Sequence, residues 1–142
     1  MSRPVRTVEE VAWASGLDLG KAKEVAERHG AEFLVAYGSF VRGDEQEGSD
    51  LDLACGCGPG SAAAFGEELS RACAVPVDLR PFGSGSPAWR AEVALTGVCI
   101  YEREQGRWEA ARAAALAEWA RRRPRGRERG TVPHEAIKAR FG

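Results

Sequence analysis

The sequence predicts an α/β (α+β) fold built as one compact domain. Segments in which apolar residues recur every three or four positions alternate along the chain with short apolar runs of strand length. Glycine, serine and proline separate these segments. With 142 residues, of which 44% are hydrophobic, the chain is long enough to bury one core without disulfide bonds.

Two helices are predicted near the start of the chain. Thr7 and Glu10 form a capping box ahead of "VEEVAWAS", and Gly16 follows as a residue that ends a helix. In "LGKAKEVAERHG", Gly30 is placed to end a second helix. The apolar residues that share one face of this second helix are Leu19, Ala22, Val25 and Ala26.

Four apolar runs predict the strands of the fold. The first, "EFLVAY", precedes Gly38 and Ser39, after which polar residues predict a turn-rich loop that ends near Gly48. The second strand is "DLDLAC", in which apolar and polar residues alternate. The third lies in "VPVDLRPF" and the fourth is "VCIYE".

Three further helices separate or follow these strands. Ser61 is expected to cap a helix that reaches about Ala74. Ser86 and Pro87 are typical N-cap and first-turn residues for the helix "AWRAEVALT". A long helix is predicted from about residue 107 to residue 122.

We expect the chain to divide into three regions. Residues 1–19 form an N-terminal helical extension, residues 20–122 the main domain, and residues 123–142 an arginine-rich tail predicted to be flexible because proline and glycine interrupt it. Residues 1–102 carry nine basic and 16 acidic side chains, a net charge of −7, whereas residues 103–142 carry 11 and five, a net charge of +6. The two halves are therefore expected to meet different partners, or each other.

The sequence also predicts where the protein acts. The first residues, "MSRPVRTVEE", contain no apolar signal core. No segment approaches the roughly 18 apolar residues that a membrane span requires. We therefore expect a cytoplasmic protein without a membrane partner.

Two aspartates interrupt the second predicted strand. Because side chains two apart in a strand share a face, Asp50 and Asp52 are expected to project together, with Cα atoms about 6.6 Å apart. Two carboxylates within about 4 Å repel by about 4 kcal/mol at an effective dielectric of about 20, so a cation should lie between them. Hard oxygen ligands favour magnesium, and two such ions about 3.5 to 4 Å apart form the clamp used for in-line phosphoryl transfer. Asp78, in the third strand, is the candidate third ligand.

The residues that precede the pair favour this site over a simpler interpretation. An isolated D-x-D pattern is more often a solvated strand face, with Asp78 at a strand edge. Here, however, Gly38 and Ser39 follow a buried strand, so their amides and the Ser39 hydroxyl can approach phosphate oxygens closely. Arg42 adds a planar donor fork for the same anion.

The four cysteines are predicted to be reduced, small core residues. Cys55, Cys57, Cys73 and Cys99 match neither the disulfide framework of a small secreted domain nor paired zinc ligands. If strand alternation continues past the aspartates, Cys55 and Cys57 point to the aspartate face. A soft-metal site there is disfavoured because two thiols fall short of four ligands.

The joined motif resembles that of a known superfamily. "GSFVRGDEQEGSDLDL" resembles the G-S-x-x-R-G-x(n)-S-D-x-D-L signature of the DNA polymerase β-type nucleotidyltransferases, most closely of the minimal nucleotidyltransferases. "VDLRP" and "RAEVALTGVCIYE" resemble later segments of the same proteins. The similarity covers residues 20–105, and it departs from the pattern at Val41, where the family often has alanine.

The resemblance implies a mixed sheet with helices packed against it, ATP as substrate and two magnesium ions as cofactors. The residues implied to bind the nucleotide are Gly38, Ser39, Arg42 and Ser49. The residues implied to be catalytic and to hold metal are Asp50, Asp52 and Asp78. Asp78 would also activate the attacking hydroxyl, which loses its proton as the α-phosphorus is attacked.

The resemblance also implies a partner. Many minimal nucleotidyltransferases are antitoxins encoded beside a helical HEPN toxin with ribonuclease activity, so AMP transfer to a tyrosine of such a toxin is expected. Two alternatives stay open: a non-catalytic toxin-binding module of the same fold, and transfer to a small-molecule hydroxyl. An intact set of three aspartates disfavours the first, because a pure binder gains nothing from clustered negative charge.

Nucleic-acid binding is a further alternative. The two N-terminal helices resemble a helix-turn-helix with Lys21 and Lys23 on the second helix, and the tail is rich in arginine. Packing of these helices on the sheet is favoured, because the second helix runs straight into the nucleotide-binding strand and carries glutamates that would face phosphates.

Overall fold

The structure is a computed structural model that describes residues 5–122. The helices in this range are α1 (Val8–Ser15), α2 (Leu19–Arg28), α3 (Ser39–Arg42), α4 (Ala62–Arg71), α5 (Pro87–Thr96) and α6 (Arg107–Arg122). The strands are β1 (Phe33–Tyr37), β2 (Leu51–Cys55), β3 (Val77–Pro81) and β4 (Val98–Glu102). Short 3-10 turns, Pro59–Ser61 and Phe82–Ser84, precede α4 and α5. The predicted basic tail, residues 123–142, lies outside the described residues.

The four strands form one mixed sheet in the order β3-β2-β1-β4. β1 pairs antiparallel with both β2 and β4, whereas β2 pairs parallel with β3. The predicted fold class, a mixed sheet with helices packed against it, is confirmed. No helix within residues 5–122 combines the length and the apolar composition needed to cross a bilayer.

Helices cover both faces of the sheet. α1, α2 and α4 pack on one face, where Leu34 and Ala36 of β1 join their apolar residues in a single cluster. α5 and α6 pack on the other face, against Phe33, Val35 and Tyr37 of the same strand. β1 is fully buried because its alternate side chains enter two different cores. We call these the α1-side face and the α5-side face.

The N-terminal helices are integral to the α1-side core. Val11 and Leu17 are only 1% and 5% exposed, and they share a cluster with Val25 and Ala26 of α2. The backbone N–H of Ala74 donates to the carbonyl of Ser15 over 3.1 Å, which ties α1 to the end of the α4 region. The expected packing of these helices on the sheet is therefore observed.

Two local predictions need correction. The loop expected after Ser39 begins instead with α3, a single helical turn closed by Gly43 in the left-handed conformation (φ +82°). Four residues are too few for apolar periodicity to reveal a helix. α4 ends at Arg71 rather than near Ala74, and Ser61 precedes it without a capping hydrogen bond from its side chain.

The prediction that Cys55 and Cys57 point to the aspartate face was wrong. The two residues lie beside each other with Cα atoms 5.4 Å apart, and Cys73 and Cys99 are free thiols. Both Cys55 and Cys57 pack on the α1-side face, away from Asp52. The reason is the strand period of two: Cys55 lies three residues after Asp52 and therefore points the opposite way.

Candidate active site

Strand pairing places two of the predicted aspartates side by side. Asp52 of β2 is the register partner of Asp78 in β3, and on its other side it is the partner of Tyr37 in β1. Residues opposite each other in a sheet share a face, so the three side chains form a row across neighbouring strands. Tyr37 belongs to the α5-side cluster, which assigns the row to that face.

Asp50 occupies a different position from the predicted one. β2 begins at Leu51, so Asp50 lies in the preceding loop rather than in the strand, and it is exposed. It still acts on the site, because its negative charge contributes to raising the pKa of Asp52. Within residues 5–122 no group of three or more His, Cys, Asp or Glu side chains is arranged as a metal site.

Asp52 is the electrostatic centre of the row. Its burial, followed by the charge of Asp78, raises the pKa of Asp52 to about 6, against the opposing effects of Arg80 and Arg42. Water and neighbouring positive charges therefore stabilise the ionised Asp52 carboxylate less than water stabilises a fully exposed aspartate. A cation at this point would relieve that cost.

The donor chemistry fits magnesium. Asp52 and Asp78 supply hard carboxylate oxygens on one face, and the raised pKa of Asp52 marks an uncompensated charge next to Asp78. The two residues could hold the ion directly.

Gly38 has a steric role beside Asp52. Its φ is +84°, and a Cβ added there would lie 2.5 Å from Oδ2 of Asp52. Only glycine accommodates both the backbone conformation and the close approach of the carboxylate. Gly38 also leads directly into Ser39, the half-buried first residue of α3. The predicted nucleotide-binding turn therefore adjoins the aspartate row.

The other predicted nucleotide ligands are less closely joined to the row. Arg42 is exposed and its Nε donates to Asp44 over 3.2 Å, although its charge reaches Asp52 and lowers the pKa of that carboxyl. The hydroxyl of Ser49 accepts from the backbone N–H of Gln46 over 2.9 Å, which closes the turn before Asp50. Both side chains can still donate to a nucleotide while these bonds are kept, Ser49 through its own O–H and Arg42 through its other N–H groups.

Arg80 belongs to the site and was not predicted. Its Nη2 donates to Oδ2 of Asp78 over 3.3 Å, and its charge lowers the pKa of Asp52. The Arg80 side chain is 56% exposed, so its guanidinium can exchange this carboxylate for another anion. Its spacing was the available signal, because a residue two after Asp78 in a strand shares its face.

Tyr37 was also missed as a site residue. Burial, followed by the charge of Asp52, raises the pKa of the Tyr37 phenol far above its usual range, so the hydroxyl stays protonated at neutral pH. The ring packs edge-on against Trp89 of α5, with centroids 5.5 Å apart. This contact fixes the Tyr37 side chain, which adjoins Asp52. The sequence signal for Tyr37 was its position immediately before Gly38.

The sequence matches the "Polymerase beta, Nucleotidyltransferase" family over residues 20–106. The chain belongs to this family. The match contains the Gly38–Ser39 turn and all three aspartates, and it ends just after β4. Residues 1–19 lie outside it.

Solved structures confirm the polymerase β-like nucleotidyltransferase fold. A toxin–antitoxin crystal structure with AMP-PNP aligns at a TM-score of 0.64 and 18% identity, covering 74% of this chain and 89% of that chain. A second match, at a TM-score of 0.58 and 16% identity, is a tri-AMPylated Shewanella oneidensis HEPN toxin in complex with MNT antitoxin, covering 72% of this chain and 84% of that chain. No curated protein matches the sequence. At these identities, the similarity to the solved structures shows a shared fold.

Proposed function

We propose that this nucleotidyltransferase is a magnesium-dependent protein adenylyltransferase. It transfers AMP from ATP to a tyrosine hydroxyl of a HEPN ribonuclease toxin and thereby acts as an antitoxin. The observation that carries the proposal is the register pair Asp52 and Asp78 beside the Gly38–Ser39 turn, in a chain of the nucleotidyltransferase family.

The neighbours support the nucleotide and the partner. One of them contains AMP-PNP, an ATP analogue, and another is an MNT antitoxin bound to an AMPylated HEPN toxin. Each antitoxin-like fold aligns with nearly three quarters of this chain.

The chain's own residues would divide the chemistry between them. The Gly38–Ser39 turn and Arg42 hold the triphosphate. Asp78 accepts the proton of the attacking hydroxyl, whose oxygen forms a bond to the α-phosphorus as the bond to the β-phosphate oxygen breaks and pyrophosphate leaves. Magnesium, held by Asp50, Asp52 and Asp78, would neutralise charge on the attacking and leaving oxygens.

The test separates catalysis from simple binding. A HEPN ribonuclease of the source organism is incubated with the protein, ATP and magnesium, the protein is removed, and RNA cleavage is measured. We expect cleavage to stay suppressed after wild type and to return after Asp50→Ala/Asp52→Ala.

A matched control removes two exposed acidic charges of α2, Glu24→Ala/Glu27→Ala, and should behave as wild type. If cleavage returns with every variant once the protein is removed, the non-catalytic binding module replaces the proposal. If neither wild type nor any variant lowers RNA cleavage by the toxin, the HEPN toxin is not the acceptor.

A further inference from the structure

Arg6 joins the N-terminal extension to α3. Its backbone N–H donates to the carbonyl of Val41 over 2.9 Å. Its guanidinium Nη1 donates to the carbonyl of Phe40 over 3.0 Å and to Oε1 of Glu45 over 2.8 Å. One residue therefore makes three contacts with the segment that follows the Gly38–Ser39 turn.

These contacts complete the hydrogen bonding of a very short helix. α3 has four residues, Ser39–Arg42, and the last carbonyls of a helix have no partner within it. Arg6 donates to two of them, those of Phe40 and Val41. A cation is also favoured at the end of a helix where carbonyls point outward. Arg6 thus stabilises α3 from outside the local sequence.

The third contact fixes the start of the acidic loop between α3 and β2. The Arg6 and Glu45 side chains are only 28% and 23% exposed, so their ion pair is better shielded than a typical surface pair. Glu45 lies on the path from the Gly38–Ser39 turn to Asp50. The loop that carries Asp50 is therefore anchored close to its origin.

Arg6 itself is held in place by α1. Thr7, the next residue, forms the predicted capping box with Glu10, with bonds of 2.8 and 3.1 Å. Val11, one turn further along, is 1% exposed in the core. This series of contacts fixes Arg6 relative to the sheet, although Arg6 lies outside the family match at residues 20–106.

We infer that Arg6 is a positioning residue of the nucleotide site. It holds α3 and the loop to Asp50 in the arrangement that receives the triphosphate, so that the N-terminal extension contributes to nucleotide binding without contacting the ligand. The identity of the ligand, ATP with magnesium, rests on the proposed function.

The experiment compares Arg6→Ala and Arg6→Lys with a matched control. Arg112 has similar bonds elsewhere, because its Nε donates to the carbonyl of Ala94 over 2.7 Å in the last turn of α5 and its Nη1 pairs with Glu109 over 3.4 Å. Arg112→Ala therefore removes one arginine of the same kind. Two quantities are measured on the full chain: the Kd for ATP with magnesium, by calorimetry, and backbone amide exchange in residues 39–49.

We expect Arg6→Ala to weaken ATP binding about tenfold and to speed exchange in residues 39–49 by about the same factor, since a charge-assisted hydrogen-bond set is lost. Arg6→Lys should recover part of both effects, and Arg112→Ala should change neither. Wild-type affinity in Arg6→Ala, with or without faster exchange, would overturn the inference. If wild type itself binds no ATP, the proposed function fails, and the exchange comparison still decides whether Arg6 holds this segment.

Discussion

At the scale of single residues, Asp52 determines the electrostatics of the site. Gly38 leaves space for its carboxylate, Asp78 lies beside it in register, and burial raises its pKa to about 6. Arg80 compensates part of the charge through its pair with Asp78. The site is therefore organised around a negative charge that the protein alone does not fully stabilise.

This arrangement predicts a stability profile with pH. The pKa of Asp52 is raised to about 6 in the folded protein, whereas an unfolded aspartate has a pKa of about 3.9, so the folded state binds the proton more tightly. Without metal, the free energy of unfolding contributed by Asp52 should fall as the pH rises from about 4 to about 6. Asp52→Asn should remove this fall and stabilise the protein at neutral pH, by an amount on the order of 1 kcal/mol after allowing for partial exposure.

Urea unfolding in EDTA across this pH range measures the difference between wild type and Asp52→Asn. Glu47→Gln, in an exposed part of the same region, serves as the control and should follow wild type. If the unfolding free energies of wild type and Asp52→Asn changed in parallel with pH, the raised pKa of Asp52 would be refuted as the cause of the fall.

Gly38 and Gly48 provide a second, matched test. Both have positive φ, +84° and +89°, but an added Cβ meets Asp52 at Gly38 and nothing within 4 Å at Gly48. Each alanine should cost about 1 to 2 kcal/mol of unfolding free energy for the backbone conformation alone. Only Gly38→Ala should also displace the Asp52 carboxylate and weaken ATP binding. Equal ATP affinity in the two variants would rule out this steric role.

At the scale of elements, regular features were predictable and tertiary ones were not. The sequence predicted the Thr7–Glu10 capping box, β4 and α6, because each has a local pattern of caps or periodicity. α3 escaped prediction because its carbonyls are satisfied by Arg6, 34 positions from Phe40 in sequence. The candidate site shows a similar limit: the three aspartates could be named, but the pairing of Asp52 with Tyr37 and Asp78 depends on strand register, which no local pattern records.

The packing of α1 predicts that the N-terminal extension unfolds together with the rest. Leu17 is 5% exposed within the α1-side core, so Leu17→Ala should lower the unfolding free energy by about 2 to 5 kcal/mol in a single transition. Leu95, which is 42% exposed on α5, is the matched control, and Leu95→Ala should cost much less. Calorimetry measures both. A separate, early transition in the Leu17 variant would mean that the extension is an independent unit.

At the scale of the whole molecule, ion pairs join α6 and the segment before it to earlier parts of the chain. Arg103 and Arg107 pair with Glu32 over 3.5 and 3.1 Å, and Arg90 pairs with Glu118 of α6. These pairs hold α6 against the sheet and α5, on the face that also carries the aspartates. Most of the positive charge of residues 103–142 lies in the tail, outside the described residues, so the partner of that charge stays a prediction. The fold thus places Trp89 of α5 against Tyr37, which is the register partner of Asp52.

The most direct test of the account uses ATP labelled at the α-phosphate, with the γ-labelled compound in parallel. Wild type and Asp50→Ala/Asp52→Ala are incubated with magnesium and lysate from the source organism, and proteins are separated by mass. We predict a labelled protein band when wild type is incubated with α-labelled ATP. The band should be absent with γ-labelled ATP, with the double variant and in EDTA. Label from γ-labelled ATP, or an equally labelled band with the double variant, would contradict AMP transfer by the aspartate row.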